Sequence, residues 1–406
     1  ARKARRNAVT VDVRTTDSTG IGRWQKPSLV VGVIGLAASA IGWLINPGEF
    51  FRAYLSSYLF WFSIVAGSLA VLMLQYTTGG EWGLMIRRPL GAAARTMIWM
   101  ALFFIPIAIG MKSIYPWMNV DWAQHDPVVS HKLGWLNWKR FGVFTIVYFG
   151  MWILWAWRIR ALSLQFYKDR SPFTNLARNR WAASGLPMIV LTLTFASIDW
   201  MMSLEPRWNS TMYGITFTVG CGLSALAFVT FFLSRLANTE AMQGILKASH
   251  LRDLGNLLLA FVMFYAYVAF SEFLLIWYAN LHEEIGHYIY REVGIWGFVA
   301  LCIVVFHFFL PFFMLLMRPI KDRPETISVV TIIILIVRYV AIYWLVAPSW
   351  YHEHFHYSIW SLTSLIGIGG VWLWTFIDQL KGQTIIPIHE TWVEEAIREG
   401  ALRVNA

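Results

Sequence analysis

Two ionisable side chains stand deep within long apolar runs of this 406-residue chain, and others stand nearer the ends of such runs. Arg338 sits near the midpoint of one run, in IleLeuIleValArgTyrVal, and His307 near the middle of another. Glu272 lies in the outer third of a third run. Asp199 ends a fourth, just before the polar turn SerLeuGluProArgTrp at 203–208, which brings Glu205 and Arg207. A charge at bilayer depth is costly, so such groups either tie helices together or move protons and ions. Arg338 is too central to snorkel, which leaves a tie to backbone carbonyls, a charge pair or a station on a proton path. His307 reads as hydrogen-bonded to a neighbour or as a second station. A buried carboxyl such as Glu272 either pairs with an adjacent helix or exchanges protons. Near run ends, Arg95 is expected to snorkel and Asp378 to be solvated.

These groups need helices to hold them. The composition is 57% hydrophobic and only 14% charged, against about 25% charged in a soluble domain. The apolar runs are continuous rather than alternating, which selects membrane helices over a barrel. Ten spans are predicted, at roughly 28–46, 50–77, 90–112, 141–160, 181–202, 209–235, 252–280, 292–317, 326–347 and 357–380. Residues 1–27 form a basic, polar N-terminal segment that does not read as a cleavable signal peptide, and 381–406 a soluble tail with helical spacing over Glu390–Glu399.

The net charge of +10 does not indicate nucleic acid, because the basic residues sit in short loops. Of 33 Lys and Arg, Arg95 and Arg338 lie within spans. Seven lie on one side: Arg52, Lys112, Lys132, Lys139, Arg140, Arg207 and Arg291. The other 24 share the side of the termini, so the positive-inside rule puts both termini in the cytoplasm. Seven of the ten histidines then face outward: His125, His131, His282, His287, His352, His354 and His356. An interfacial aromatic belt explains most of the Trp and Tyr at the same edges. Cys221 and Cys302 lie in apolar runs and read as buried thiols, with no Cys-x-x-Cys or cluster-ligand pattern. His307 alone cannot supply the paired axial ligands of a two-haem bundle. There is no Walker-type loop.

Four stretches carry a resemblance: 197–211 (SerIleAspTrpMetMetSerLeuGluProArgTrpAsnSerThr), 250–258 (HisLeuArgAspLeuGlyAsnLeuLeu), 270–284 (PheSerGluPheLeuLeuIleTrpTyrAlaAsnLeuHisGluGlu) and 78–90 (ThrGlyGlyGluTrpGlyLeuMetIleArgArgProLeu). Together they resemble the NrfD/PsrC-type membrane subunits of alternative complex III, nearest to the smaller of its two such subunits. The resemblance implies two four-helix bundles, spans 2–5 and 6–9, flanked by spans 1 and 10. It implies a quinol:electron-acceptor oxidoreductase in the bacterial cytoplasmic membrane, with an NrfD-like paralogue and with haem c and iron–sulfur clusters in partner subunits. Carried over by position, its polar residues are Asp199, Glu205, Arg207, Glu272, Tyr278, Asn280, Glu283 and Glu284. The chain departs from the family at His282, usually Pro, and at Glu272, often an amide; both changes add a titratable group.

The expected role is proton conduction coupled to quinol oxidation, with a proton path drawn from Asp199, Glu205, Arg207, Glu272, His307, Arg338 and Asp378. Quinol sheds two protons with its two electrons and needs a base nearby; Tyr278, Glu283, Glu284 and His287 are the residues expected at such a site. Two alternatives stay open. One is a secondary transporter, for which Gly367, Gly369, Gly370 and Pro311 are compatible with broken helices. The other is a membrane anchor for the haem and iron–sulfur subunits.

Overall fold

A computed structural model describes residues 9–12, 20–237, 239, 242, 246–352, 354–381 and 402–405. Among these residues, ten helices are long and apolar enough to cross a membrane: Ile21–Ile45 (span 1), Pro47–Thr78 (span 2), Arg87–Ile109 (span 3), Trp138–Asp169 (span 4), Pro172–Leu204 (span 5), Tyr213–Leu236 (span 6), Ala248–Ala279 (span 7), Gly294–Leu316 (span 8), Pro324–Ser349 (span 9) and Ile359–Leu380 (span 10). Their outer surfaces expose dozens of large apolar side chains, an arrangement stable in lipid and not in water. The protein is an all-α multi-pass membrane protein. Ten crossings bring both chain ends to one side, called the terminal face below; the other side is the far face. A short parallel strand pair joins Val9–Asp12 to Leu402–Asn405 at the terminal face. The tail helix expected over Glu390–Glu399 lies outside the described residues.

Spans 4 and 5 are longer than their apolar cores suggest. The polar stretches Arg158–Asp169 and Pro172–Arg180 remain helical, and the chain reverses only at Arg170, whose φ of 48° breaks the helix. Pro172 then starts span 5 at the position where its missing N–H costs nothing, with the Ser171 hydroxyl capping Phe173.

Span 2 packs on span 3, span 3 on span 4, span 4 on span 5, and span 5 returns to span 2; spans 6–9 close in the same way. The two bundles meet where spans 2 and 6 cross. Gly67 permits that crossing, because a Cβ there would overlap the Cys221 carbonyl. Spans 1 and 10 flank the bundles as one pair. They pair with each other and lie together on span 2. Gly32, Gly35 and Ser39 make a small-residue stripe on span 1, and Gly35 and Gly32 meet Gly367 and Gly370 of span 10 backbone to backbone. The Ser39 hydroxyl bonds Thr363 and lies 3.1 Å from that of Ser364.

The span-10 glycines are therefore packing sites within an unbroken helix, and Gly369 makes room for Trp61. They do not mark an interrupted helix. Pro311 does mark an irregularity: it cannot donate to the His307 carbonyl, and the preceding turn widens into a π-helix over Val304–Phe309. Cys221 is buried, whereas Cys302 is only half-buried, which corrects the expectation of two buried thiols.

Candidate functional site

Bundle 6–9 carries a column of polar side chains on its inner faces. Span 6 contributes Tyr213, Thr216 and Gly220, three and seven residues apart and thus on one face. Span 7 contributes Tyr265 and Glu272 by the same spacing, about 10 Å apart along the axis. Span 8 brings His307 on its π-turn, and span 9 brings Arg338, Leu345 and Ser349. A helix at the far face, His282–Glu292, turns His287, Tyr288 and Arg291 inward.

At the deep end, Arg338 is fully enclosed. Its guanidinium lies over the Tyr265 ring at 4.8 Å, and His307 meets that ring edge-on at 4.7 Å. Among the described residues, no hydrogen-bond partner reaches any of the three guanidinium nitrogens or His307 Nε2. Gly220 makes this possible, since a Cβ there would overlap the guanidinium. A buried cation whose donors find no protein acceptor is a high-energy arrangement, kept where it has work to do.

Two turns nearer the far face, the buried Glu272 carboxylate accepts from the Ser210 hydroxyl at 2.5 Å and the Thr216 hydroxyl at 3.1 Å. Its hydrogen-bond partners are hydroxyls rather than cations. A hydroxyl donates to a carboxylate or accepts from a carboxylic acid, so this cradle serves both protonation states.

At the far face, Glu205 joins three elements. Its Oε1 accepts from Arg291 Nη2 at 2.6 Å and from the Ser349 hydroxyl at 2.8 Å; its Oε2 lies 2.9 Å from His287 Nδ1. Arg291 also donates to the His287 and Leu345 carbonyls. The His287 ring stacks on Trp208 at 3.9 Å with only 10° between planes. Burial raises Glu205, but Arg291 and His287 outweigh it and hold the carboxyl well below its ordinary range. Burial, then Arg291, push His287 down to about 4 against the pull of Glu205, so the ring is neutral at pH 7. Burial and then the Glu272 charge push the Tyr288 phenol up, which ties the middle of the column electrostatically to this cluster.

Asp199 lies in the other bundle. It accepts from Trp135 Nε1 at 3.0 Å, Arg140 Nη1 at 2.8 Å and Tyr148 OH at 2.9 Å. Arg140 in turn stacks over Trp135 at 3.3 Å. This is a satisfied buried ion pair, outside the column. Arg207 is mostly exposed and pairs with Asp126, which the Val129 amide and Arg207 hold below its ordinary value. Asp378 is exposed at the terminal end of span 10 and accepts from Gln25 Nε2 at 3.3 Å. Arg95 donates to the Gln379 carbonyl instead of snorkelling freely. Of the seven residues expected on one proton path, the structure brings Glu205, Glu272, His307 and Arg338 into one bundle and leaves Asp199, Arg207 and Asp378 outside it.

The residues expected to hold a quinol do not share a lining. Tyr278 is 89% exposed and Glu283 is also exposed, Glu284 is half-buried, and His287 is buried and engaged with Glu205 and Trp208. A quinol headgroup needs convergent polar groups in a water-excluding wall, an arrangement these four side chains do not make by themselves. Asn280, also carried over from the resemblance, ends span 7 with φ of 49° and is a helix stop. The other far-face histidines are dispersed: His125 is bonded to the Asp121 carbonyl, and His356 lies 3.2 Å from Glu49.

Sequence reasoning missed Arg291, Tyr265, Ser349, Tyr213, Tyr288 and Gly220. The helix at 282–292 was detectable from its acidic first turn, its basic last turn, and the spacing of His287, Tyr288 and Arg291. No protein-family model matches the chain, and no curated protein matches it.

Proposed function

We propose that this chain is a proton-handling membrane subunit of a quinol:electron-acceptor oxidoreductase, of the smaller polytopic (ActF) type in alternative complex III. The observation that carries the reading is the buried column of bundle 6–9, from His307 and Arg338 through Glu272 to Glu205 and His287. Membrane-depth ionisable groups without counter-charges belong to ion and proton routes more than to scaffolds. The motifs at 197–211 and 270–284 support the assignment to a quinol-oxidising complex, because Glu205 and Glu272 of the column come from them. The 24-to-7 division of Lys and Arg supports termini in the cytoplasm, with the Glu205 cluster outside, and the resemblance of the motifs supports the bacterial cytoplasmic membrane.

In this reading the electrons run through haem c and iron–sulfur clusters of partner subunits, and quinol is oxidised against a partner. The Glu272 carboxyl takes up and releases a proton within its hydroxyl cradle. The fixed charge of Arg338 sets the electrostatic level that a proton must cross beside His307. Bundle 2–5, with its fully paired Asp199, anchors the assembly.

The test is Glu272→Gln in the intact complex, with proton-to-electron stoichiometry and quinol turnover as readouts. A fall in either is expected, and unchanged values for both would sink the proton role. Alanine at Arg338, His307 and Glu272 together separates the readings further, since a pure anchor keeps full turnover. Purification from the native membrane is expected to bring haem-c and iron–sulfur polypeptides with the chain.

A further inference from the structure

Spans 3 and 4 bring three arginines together near the terminal face. Arg88 and Arg95 stand seven residues apart on one face of span 3, Arg160 and Tyr167 seven apart on one face of span 4, and the contact of Arg88 with Tyr167 between the antiparallel, packed spans sets Arg160 beside Arg95. None of the three forms an ion pair with a carboxylate among the described residues. Arg88 rests on the Tyr167 ring at 4.7 Å, a contact that leaves its charge uncancelled. Arg95 spends one nitrogen on the Gln379 carbonyl, and its Nε is buried with no partner. Arg160 is exposed. Three like charges at the edge of a low-dielectric slab repel one another, and an anion seated among them reverses the sign of the interaction.

The surroundings say what kind of anion. Ile98 and Leu102 follow Arg95 at three and seven residues, on the same side of span 3, and both are exposed. Trp157 precedes Arg160 by three residues on one face of span 4, one turn nearer the bilayer centre, and is exposed. An apolar lane therefore leads from the arginines toward the bilayer centre, and a Trp stands where headgroup meets acyl chain. A free phosphate would use the charges and leave the lane idle.

We infer that Arg88, Arg95 and Arg160 form a binding site for the phosphate of an anionic phospholipid, whose acyl chains lie along Ile98, Leu102 and Trp157. Basic pockets between helices on the side of the termini are the expected seat for such headgroups. The lipid joins spans 3, 4 and 10 at the point where Arg95 crosses to the Gln379 carbonyl. It neutralises the like-charge repulsion that would otherwise push span 3 from span 4.

The experiment uses the protein purified with its native partners. Phospholipid retained through detergent washing is measured by phosphorus NMR in wild type, Arg160→Gln, Arg88→Gln and Arg160→Lys. The thermal midpoint is measured after adding phosphatidylcholine vesicles, the same vesicles with phosphatidylglycerol, or inorganic phosphate. Each Gln variant is expected to bind phosphatidylglycerol about fivefold more weakly, the effect of one arginine at a membrane surface. Arg160→Lys is expected to keep most of the binding. Phosphatidylglycerol is expected to raise the midpoint of wild type more than that of either Gln variant. The inference is overturned if wild type and the Gln variants retain equal anionic lipid, or if inorganic phosphate raises the midpoint as much as phosphatidylglycerol does. It is also overturned if Arg160→Gln loses a partner polypeptide while its lipid content is unchanged.

Discussion

Acid should loosen the far face by protonating His287. In the folded protein the ring is held near pKa 4 by burial and by Arg291, against 6.5 when free. A base whose pKa is depressed by folding binds its proton better in the unfolded state. Its stabilisation of the fold is therefore complete above pH 6.5 and is lost as pH falls from 6.5 toward 4. The full difference is worth about 3.4 kcal/mol, of which about 2 kcal/mol disappears between pH 7 and pH 5. Glu205 does not contribute in this window, because Arg291 and His287 keep it ionised well below pH 4. The assay is the thermal unfolding midpoint of the purified protein from pH 7.5 down to pH 4.5, for wild type and His287→Gln. Glutamine cannot take up a proton here but can still donate to Glu205. Wild type is expected to lose stability steeply below pH 6.5, and His287→Gln to show a flatter profile across the same range. If the variant keeps the full acid slope, the low pKa of His287 is not what governs the far face.

Two substitutions distinguish a working group from a structural one. Arg338→Met removes a buried cation that lacks hydrogen-bond partners among the described residues, so the thermal midpoint of the purified protein is expected to hold or rise while proton-coupled turnover falls; a drop in midpoint with intact turnover would reverse the assignment. Asp199→Asn strands the half-buried Arg140 and is expected to destabilise the fold by about 3 kcal/mol or more, read as a lower midpoint with the proton-to-electron ratio unchanged.

The ten spans were legible because each is an apolar run long enough to cross a bilayer, and that signal needs no tertiary information. Glu272, His307 and Arg338 were legible for the complementary reason, as charges where charges are expensive. The partners were not. Arg291 was counted as one more loop cation, because an 11-residue amphipathic helix at a membrane surface looks like a polar loop in a hydropathy reading. Tyr265 sits in PheTyrAlaTyrValAlaPhe, where nothing local separates it from its neighbours. Ser349 reaches Glu205 across 144 residues of sequence, a contact that only the closure of spans 6–9 creates. Asp199 and Glu205 are six residues apart in one motif, yet one belongs to each bundle. The chain passes from the first bundle to the second between them, and motif spacing does not reveal that passage.

That crossing point explains why two bundles of the same design are filled so differently. The centre of spans 2–5 is an aromatic box in which Tyr58, Phe62, Phe104, Phe149, Trp152 and Trp200 meet at 4.7–6.5 Å. Its one deep carboxylate is met by an indole, a guanidinium and a phenol, all donors. Its buried hydroxyls serve the same packing, Thr192 accepting from Trp152 Nε1 at 2.8 Å and Thr145 from Trp200 Nε1 at 3.2 Å. Spans 6–9 give up that completeness. Gly220 makes space where packing would favour a methyl group, Pro311 opens the turn that carries His307, and Glu272 has hydroxyls where a lysine or arginine would bind more firmly. Each departure lowers stability locally and keeps a titratable or charged group available. On the proposed reading, these three departures in one bundle, aligned between mid-membrane and the far face, are kept for proton conduction, at the local cost that a charge at membrane depth carries.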